Sequence, residues 1–414
     1  MSALARSVVT RLCLVVAVAA MFAGCGSGGS PTTPTSATTL TVYSSLPLQG
    51  PDAADSLATV EGEKLALTEA GAQAGAFTVK YVSLDDSTAS SNGWDARQSA
   101  KNSRMAAQDR SAIAYLGDFD AGATAITLPT LNEVGILQIS PATTLVGLTR
   151  SEGADKGEPE KYYPTGKRTF GRVIPADNVQ AAAQLSLQKA RGCTITYLVH
   201  DREAYGKSLT DLLEVLAPKA GQTVVGEDGV DPTAKDFTST VDDVAKAKAD
   251  CVFFGAINET AAVTLFQALH AANPGLRLFA PNALATPSFA TALGAALEPV
   301  TFLTSPALPA KLYPPAGRAF LRKFRQRFGS GSEAYAMYGY EAMQVALLAI
   351  RNAGTHGGDK QAVVNAFFAV RNRRSILGTY SIDGNGDTSL NRYGSYRIRG
   401  GRLLFQRLIA PPAQ

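Results

Sequence analysis

From residue 40 onward the chain alternates short apolar strands with helical stretches, and it does so in two successive series. LTVYSSLPL (40–48) is β-branched and apolar, and Gly50-Pro51-Asp52 turns it. Residues 59–70 then place Val60, Leu65, Ala66, Leu67 and Ala70 at helical spacing, ended by Gly71 and Gly75. FTVKYVSLDD (77–86) is a strand, 92–108 a helix with Asp95 near its start, and 115–144 a strand, loop, short helix, strand and loop. This β-α-β-α-β-α-β order predicts a parallel sheet wound with helices on both faces. Residues 151–168 break the pattern as a polar, irregular surface loop, and TFGRVIP (169–175) is a short extended run. The second series has strands at 193–200, 222–226, 251–256, 276–280 and 300–305, with helices at 178–191, 206–217 (ended by Pro218), 237–247, 259–271 and 287–293.

At 414 residues the chain is too long for one ordinary core. The expected architecture is therefore α/β, with two doubly wound parallel-sheet lobes. Pro306, Pro309, Pro314 and Pro315 make a stiff linker before helices at 316–328, 335–352 and 360–369. The last stretch alternates with period two and predicts antiparallel strands. Chain that follows the second lobe without starting a third returns to the first. The expected division is 40–172 plus 306–392 for lobe 1 and 173–305 plus 393–408 for lobe 2, joined by a three-strand hinge.

The N-terminus is an export signal over residues 1–24: Arg6 and Arg11, an apolar core from Leu12 to Phe22, then small residues at the cut. Phe22-Ala23-Gly24-Cys25 resembles a bacterial lipobox, with Phe22 where Leu is usual, and implies lipidation of Cys25. A Gly/Ser/Pro/Thr tract follows and reads as a flexible tether over 25–39. The expected location is extracytoplasmic, on the cell membrane through the lipid anchor. Cys193 and Cys251 each open a predicted strand, and their state is open between a disulfide and two buried thiols.

Several function classes are disfavoured. A net charge of +4 with no basic, aromatic-interleaved stripe argues against nucleic acid. The run at 371–374 reads as a solvated helix end. With three histidines and no Gly-x-Ser-x-Gly, His-Glu-x-x-His or Walker motif, neither an enzyme nor a metal or cofactor site is expected. Asp383-Gly384-Asn385-Gly386-Asp387 lacks the remaining calcium-loop residues and reads as a hairpin turn.

Two loops follow strands in the 115–144 stretch, Gly117-Asp118-Phe119-Asp120 and Ser140-Pro141-Ala142-Thr143-Thr144. Their acids and hydroxyls suit either helix capping or ligand contact beyond the carboxyl ends of a parallel sheet. With Leu84-Asp85-Asp86, His200-Asp201, Tyr205-Gly206, Ala334-Tyr335, Tyr340 and Gly378-Thr379-Tyr380, their order and spacing resemble the substrate-binding proteins of branched-chain amino-acid ABC transporters. That resemblance covers about residues 40 to 408. It implies the type I periplasmic-binding-protein fold and a ligand held between the lobes.

Carried over residue by residue, the resemblance puts Asp118, Ser140, Ala142 (through its backbone) and Thr144 at the ligand's carboxylate end. It puts Tyr205, Asn282 and Asn258 (or Ile257) on the second lobe, and Tyr335 and Asp55 at the side-chain pocket. Asp118 stands where such proteins commonly have Ser, and Asn282 where they have Glu. Two ligand types follow: an amino acid or amine whose ammonium meets Asp118, or an uncharged, polyol-like compound. The implied function is capture of a small polar, amino-acid-like solute and its delivery to ABC permease subunits. The alternative is a sensor of the same fold coupled to a signalling partner.

Overall fold

The structure, a computed structural model, describes residues 38–91, 93–329 and 333–409. Cys25, the export signal and most of the tether lie outside those residues. No helix among the described residues is long and apolar enough to cross a membrane.

The first sheet contains β1 (Thr39–Leu46), β2 (Phe77–Asp85), β3 (Ala112–Gly117), β4 (Leu137–Ser140) and β5 (Phe170–Arg172). Their spatial order is β2-β1-β3-β4-β5, all parallel, with a two-residue antiparallel edge at Gln73–Ala74. Every residue of β3, AIAYLG, is buried, as expected of a central strand covered on both faces. The second sheet contains β6 (Ile195–His200), β7 (Thr223–Gly229), β8 (Cys251–Gly255), β9 (Arg277–Ala280), β10 (Thr301–Ser305), β11 (Tyr393–Arg399) and β12 (Arg402–Ile409). Its order is β7-β6-β8-β9-β10-β11-β12, the last two antiparallel. The chain passes between sheets after β5, after β10 and before β11.

Helices α1 (Ala53–Glu69), α2 (Ala96–Gln108) and α3 (Ala121–Glu133) link the first strands. Asp95 caps α2 by accepting from the Arg97 and Gln98 N–H groups, which starts that helix four residues later than its pattern alone suggests. The second series carries α4 (Asp177–Ala190), α5 (Ala204–Ala220), α6 (Thr238–Lys246), α7 (Glu259–Ala272) and α8 (Pro287–Ala292). Pro218 sits inside the last turn of α5 rather than ending it, and Gly221 at φ 74° closes the helix.

After β10, α9 (Pro315–Phe328), α10 (Glu333–Asn352) and α11 (Lys360–Phe368) pack into the apolar core of the first sheet, beside Leu40, Val42 and Leu116. Helices α1 and α10 touch through glycine. A Cβ on Gly62 would fall 2.1 Å from the Ala336 carbonyl oxygen, and one on Gly339 would fall 2.2 Å from that of Thr59. Only hydrogen at both positions allows this approach, which fixes α10 and its first-turn residue Tyr335 against α1.

The polar loop at 151–168 is mostly exposed, as its composition suggests, and is anchored by a few buried residues. Glu158 accepts from Tyr162 Oη at 2.5 Å and Tyr163 Oη donates to the Leu148 carbonyl at 2.7 Å, so the polar groups of that anchor are paired. In the 371–374 run, Arg371, Asn372 and Arg374 are exposed at a helix end, whereas Arg373 meets the buried Glu341 carboxylate at 2.5 Å. Asp387 of the hairpin turn accepts from Arg172 at 3.0 Å and Arg150 at 2.6 Å, and this pairing holds its carboxyl below the usual range despite burial. Cys193 lies in the turn before β6 and is joined by a disulfide to Cys251, the first residue of β8, with Cα atoms 5.9 Å apart.

Candidate functional site

In each sheet the strand order reverses at the first strand of its series, between β1 and β3 and between β6 and β8. Reversal sends the following helices to opposite faces and leaves a crevice beyond the carboxyl ends of those strands. The two crevices supply one cavity of about 50 Å³. From the first sheet come Asp52 and Asp55 at the start of α1, Phe119 to Ala121 at the start of α3, Ala142 to Thr144 after β4, and Tyr335. Facing them are Tyr205 in the first turn of α5, Ile257 after β8, and Asn282 and Ala283 after β9.

The second-sheet wall is a hydrogen-bonded unit. Tyr205 Oη donates to Asn282 Oδ1 at 2.6 Å and accepts from Gln180 Nε2 at 2.9 Å, while the Asn282 N–H donates to Gln180 Oε1 at 2.9 Å. Gln180 also donates to Asp177 at 3.0 Å, so α4 holds both cavity-lining side chains in place. Tyr335 brings its hydroxyl against Asn282 from the other side and sets its ring 4.9 Å from that of Phe119.

The first-sheet wall is acidic. Asp120 is 9% exposed, lies at the N-cap of α3 without capping it, and has a buried Oδ2 with no hydrogen-bond partner. Burial, then Asp52, Asp86, Glu203 and Asp118, push its carboxyl well above the ordinary range. Asp52 stands at the N-cap of α1, also without capping, and is raised to about 6 by burial, then by Asp55 and Glu259. Among the described residues, none lining this cavity is Lys, Arg or His.

Six residues expected from the resemblance line the cavity: Ala142, Thr144, Tyr205, Asn282, Tyr335 and Asp55. Three do not. Asp118 is fully buried beneath the cavity, where its carboxylate accepts from Tyr115 Oη and Gln138 Nε2, both at 3.2 Å, and from Thr127 Oγ1. It neither faces the cleft nor caps a helix, and burial raises it to about 7. Ser140 is spent within its own loop. Its Oγ accepts from the Ala142 and Thr143 N–H groups at 3.1 and 2.8 Å and donates to the Asp118 carbonyl at 2.7 Å. Asn258 caps α7 by accepting from the Ala261 N–H at 2.8 Å, and its neighbour Ile257 lines the cavity instead. Sequence reasoning missed Asp52 and Asp120. The available signal was that each is the last residue before a helix, where a side chain is placed beyond the strand ends.

Asp55, Asn282 and Tyr335 also line an adjoining chamber of about 640 Å³, which Tyr313, Tyr338, Tyr396 and Phe405 help to wall. Two sheets that offer their switch points to one cleft define a two-lobed architecture with a shared cavity between strand ends. The chain belongs to the periplasmic binding protein family, whose profile matches residues 41–401. It is 26% identical to the Leu/Ile/Val-binding protein homolog 1 of Brucella melitensis over 360 residues, 86% of this chain and 89% of that one. Its fold matches a leucine binding protein (LivK) from Thermotoga maritima with a TM-score of 0.76 at 19% identity, over 90% of this chain and 99% of the other. A solute binding protein from R. palustris in complex with benzoate matches with a TM-score of 0.71 at 20% identity, over 90% and 97%. The relatives are binding proteins rather than enzymes.

Proposed function

We propose that the protein captures a small polar, amino-acid-related solute between its two lobes and delivers it to an ABC permease at the outer face of the membrane. The observation that carries this reading is the cavity itself, to which the two sheets contribute opposing, separately braced walls. A ligand bridging Tyr335 and Asp120 on one side and Tyr205 and Asn282 on the other stabilises the closed arrangement, which the permease then recognises. The closing bodies are 40–172 with 306–392, and 173–305 with 393–408. Cys25 is the proposed lipid attachment point, and the tract after it the tether. Membership of the periplasmic binding family supports extracytoplasmic work, and the relatives' names support amino-acid chemistry.

A thermal-shift screen against amino acids, amides, amines and small polyols tests the reading. A ligand at a hundred times its Kd contributes about 2.7 kcal/mol by mass action. At least one compound is expected to raise Tm in the parent protein and not in Tyr335→Ala. A screen in which no compound does so contradicts ligand capture in this cleft.

A further inference from the structure

Four helices begin at the cleft, and helix N-termini favour negative charge. In a receptor for an anion or a free α-carboxylate, such ends would be left open. Here each carries a carboxylate of the chain itself: Asp52 at α1, Asp120 at α3, Glu203 at α5 and Glu259 at α7. The loop amides that the resemblance would assign to a ligand carboxylate are also occupied, because the Ala142 and Thr143 N–H groups already donate to Ser140 Oγ. The chain thus sets its own negative charge against these positive ends, although Asp52, Asp120 and Glu203 make no capping hydrogen bond, and the Ala142 and Thr143 loop donors are taken. What remains is unmet negative charge, centred on Asp120, which lines the cavity and whose buried Oδ2 has no hydrogen-bond partner.

We propose that the cleft selects an organic cation, an amine whose nitrogen sits at the Asp120 carboxylate while its body extends past Tyr335 into the adjoining chamber. The proposal rests on the receptor reading above and names the ligand's charge. Asp52 lies across the same cavity, and the rings of Phe119 and Tyr335 supply the aromatic faces that attract a cation. The chamber is far larger than a branched aliphatic side chain needs. A metal ion fits less well: among the described residues, the carboxylates close enough to share an ion, Asp211, Glu214 and Glu227, lie elsewhere. The raised carboxyls of Asp52 and Asp120 agree with a site whose negative charges repel until a cation arrives.

The test uses calorimetric titration of the purified protein with phenethylamine, phenylalanine and 3-phenylpropionate, which share a body and differ in head-group charge. Phenethylamine is expected to bind at least tenfold tighter than phenylalanine, and 3-phenylpropionate to be weakest. Asp120→Asn, which keeps the shape, is expected to weaken phenethylamine at least tenfold and to narrow that gap. Because bound amine favours ionised Asp52 and Asp120, with Asp55, Asp86, Asp118, Glu203 and Glu259 the other acids facing them, its affinity rises from pH 5 to pH 7.5. Equal or tighter binding of phenylalanine or 3-phenylpropionate overturns the proposal, as does no binding of phenethylamine or an Asp120→Asn variant that binds it unchanged. If one of the other two compounds binds and Tyr335→Ala abolishes that binding, the receptor reading stands and only the assignment of charge falls.

Discussion

Asp118→Ala separates the two aspartates of the 117–120 turn, one built into the interior and one facing the cleft. The substitution removes the acceptor of three donors. Gln138 Nε2 keeps the Gly117 carbonyl at 3.2 Å and Thr127 Oγ1 at 3.0 Å, and Thr127 Oγ1 can fall back on the Thr124 carbonyl at 3.4 Å. Tyr115, fully buried, loses the carboxylate that takes its hydroxyl hydrogen. One such orphaned group costs about 1–3 kcal/mol, and the small void adds under about 1 kcal/mol. Against this stands the carboxyl's own burden. With a folded pKa of about 7 against 3.8 when unfolded, it binds a proton in the folded state that the unfolded chain releases. Stability therefore falls as pH rises from about 4 to about 7, and above that the parent protein carries the cost of a buried charge. The expected loss is about 2–3 kcal/mol at pH 4, before that burden sets in, and it shrinks by about 2 kcal/mol at pH 5.5 and further at pH 8, read by urea denaturation at all three. Ligand affinity of the folded variant is expected to stay within about twofold, on the order of 0.4 kcal/mol. A variant as stable as the parent at pH 4 but unable to bind ligand would refute this placement of Asp118.

Gly62→Ala drives a methyl group into the Ala336 carbonyl, so α1 and α10 must part by about an ångström, a strain worth roughly 1–3 kcal/mol. A lower urea midpoint together with weaker ligand binding is expected, because Tyr335 adjoins Ala336; unchanged stability would show that the helices are not in contact there. Replacing Cys193 and Cys251 together by Ser opens a loop of sequence separation 58 and is expected to cost up to about 4 kcal/mol of chain-entropy stabilisation. The same denaturation experiment with and without reductant on the parent protein checks it, and no difference would mean that the bond does not form.

Much of the architecture was legible because it rests on periodicity. Buried strands such as AIAYLG and the glycine- and proline-marked helix ends read directly, and the period-two tail paired as antiparallel strands. Helix starts were less legible, because capping by Asp95 depends on a side-chain hydrogen bond that no pattern of apolar residues encodes. At the site, Tyr205, Asn282 and Tyr335 carried enough local signature to be placed. Asp118 and Asp120 did not. They stand two residues apart in one turn, and which carboxylate faces the cleft depends on the partners Tyr115, Thr127 and Gln138 waiting beneath, two of them on other elements. The acidic character of the cleft was hidden for a related reason: its carboxylates Asp52, Asp55 and Asp120 come from two helix starts well apart in sequence.

The central claim is that one ligand is held at once by both walls of the cleft. Its most direct test is calorimetric titration of the tightest-binding screened compound into the parent protein, Tyr335→Ala and Asn282→Ala, one substitution on each wall. The account predicts one site per chain and at least a tenfold loss of affinity in each variant, both still folded. Full affinity in either variant would contradict it.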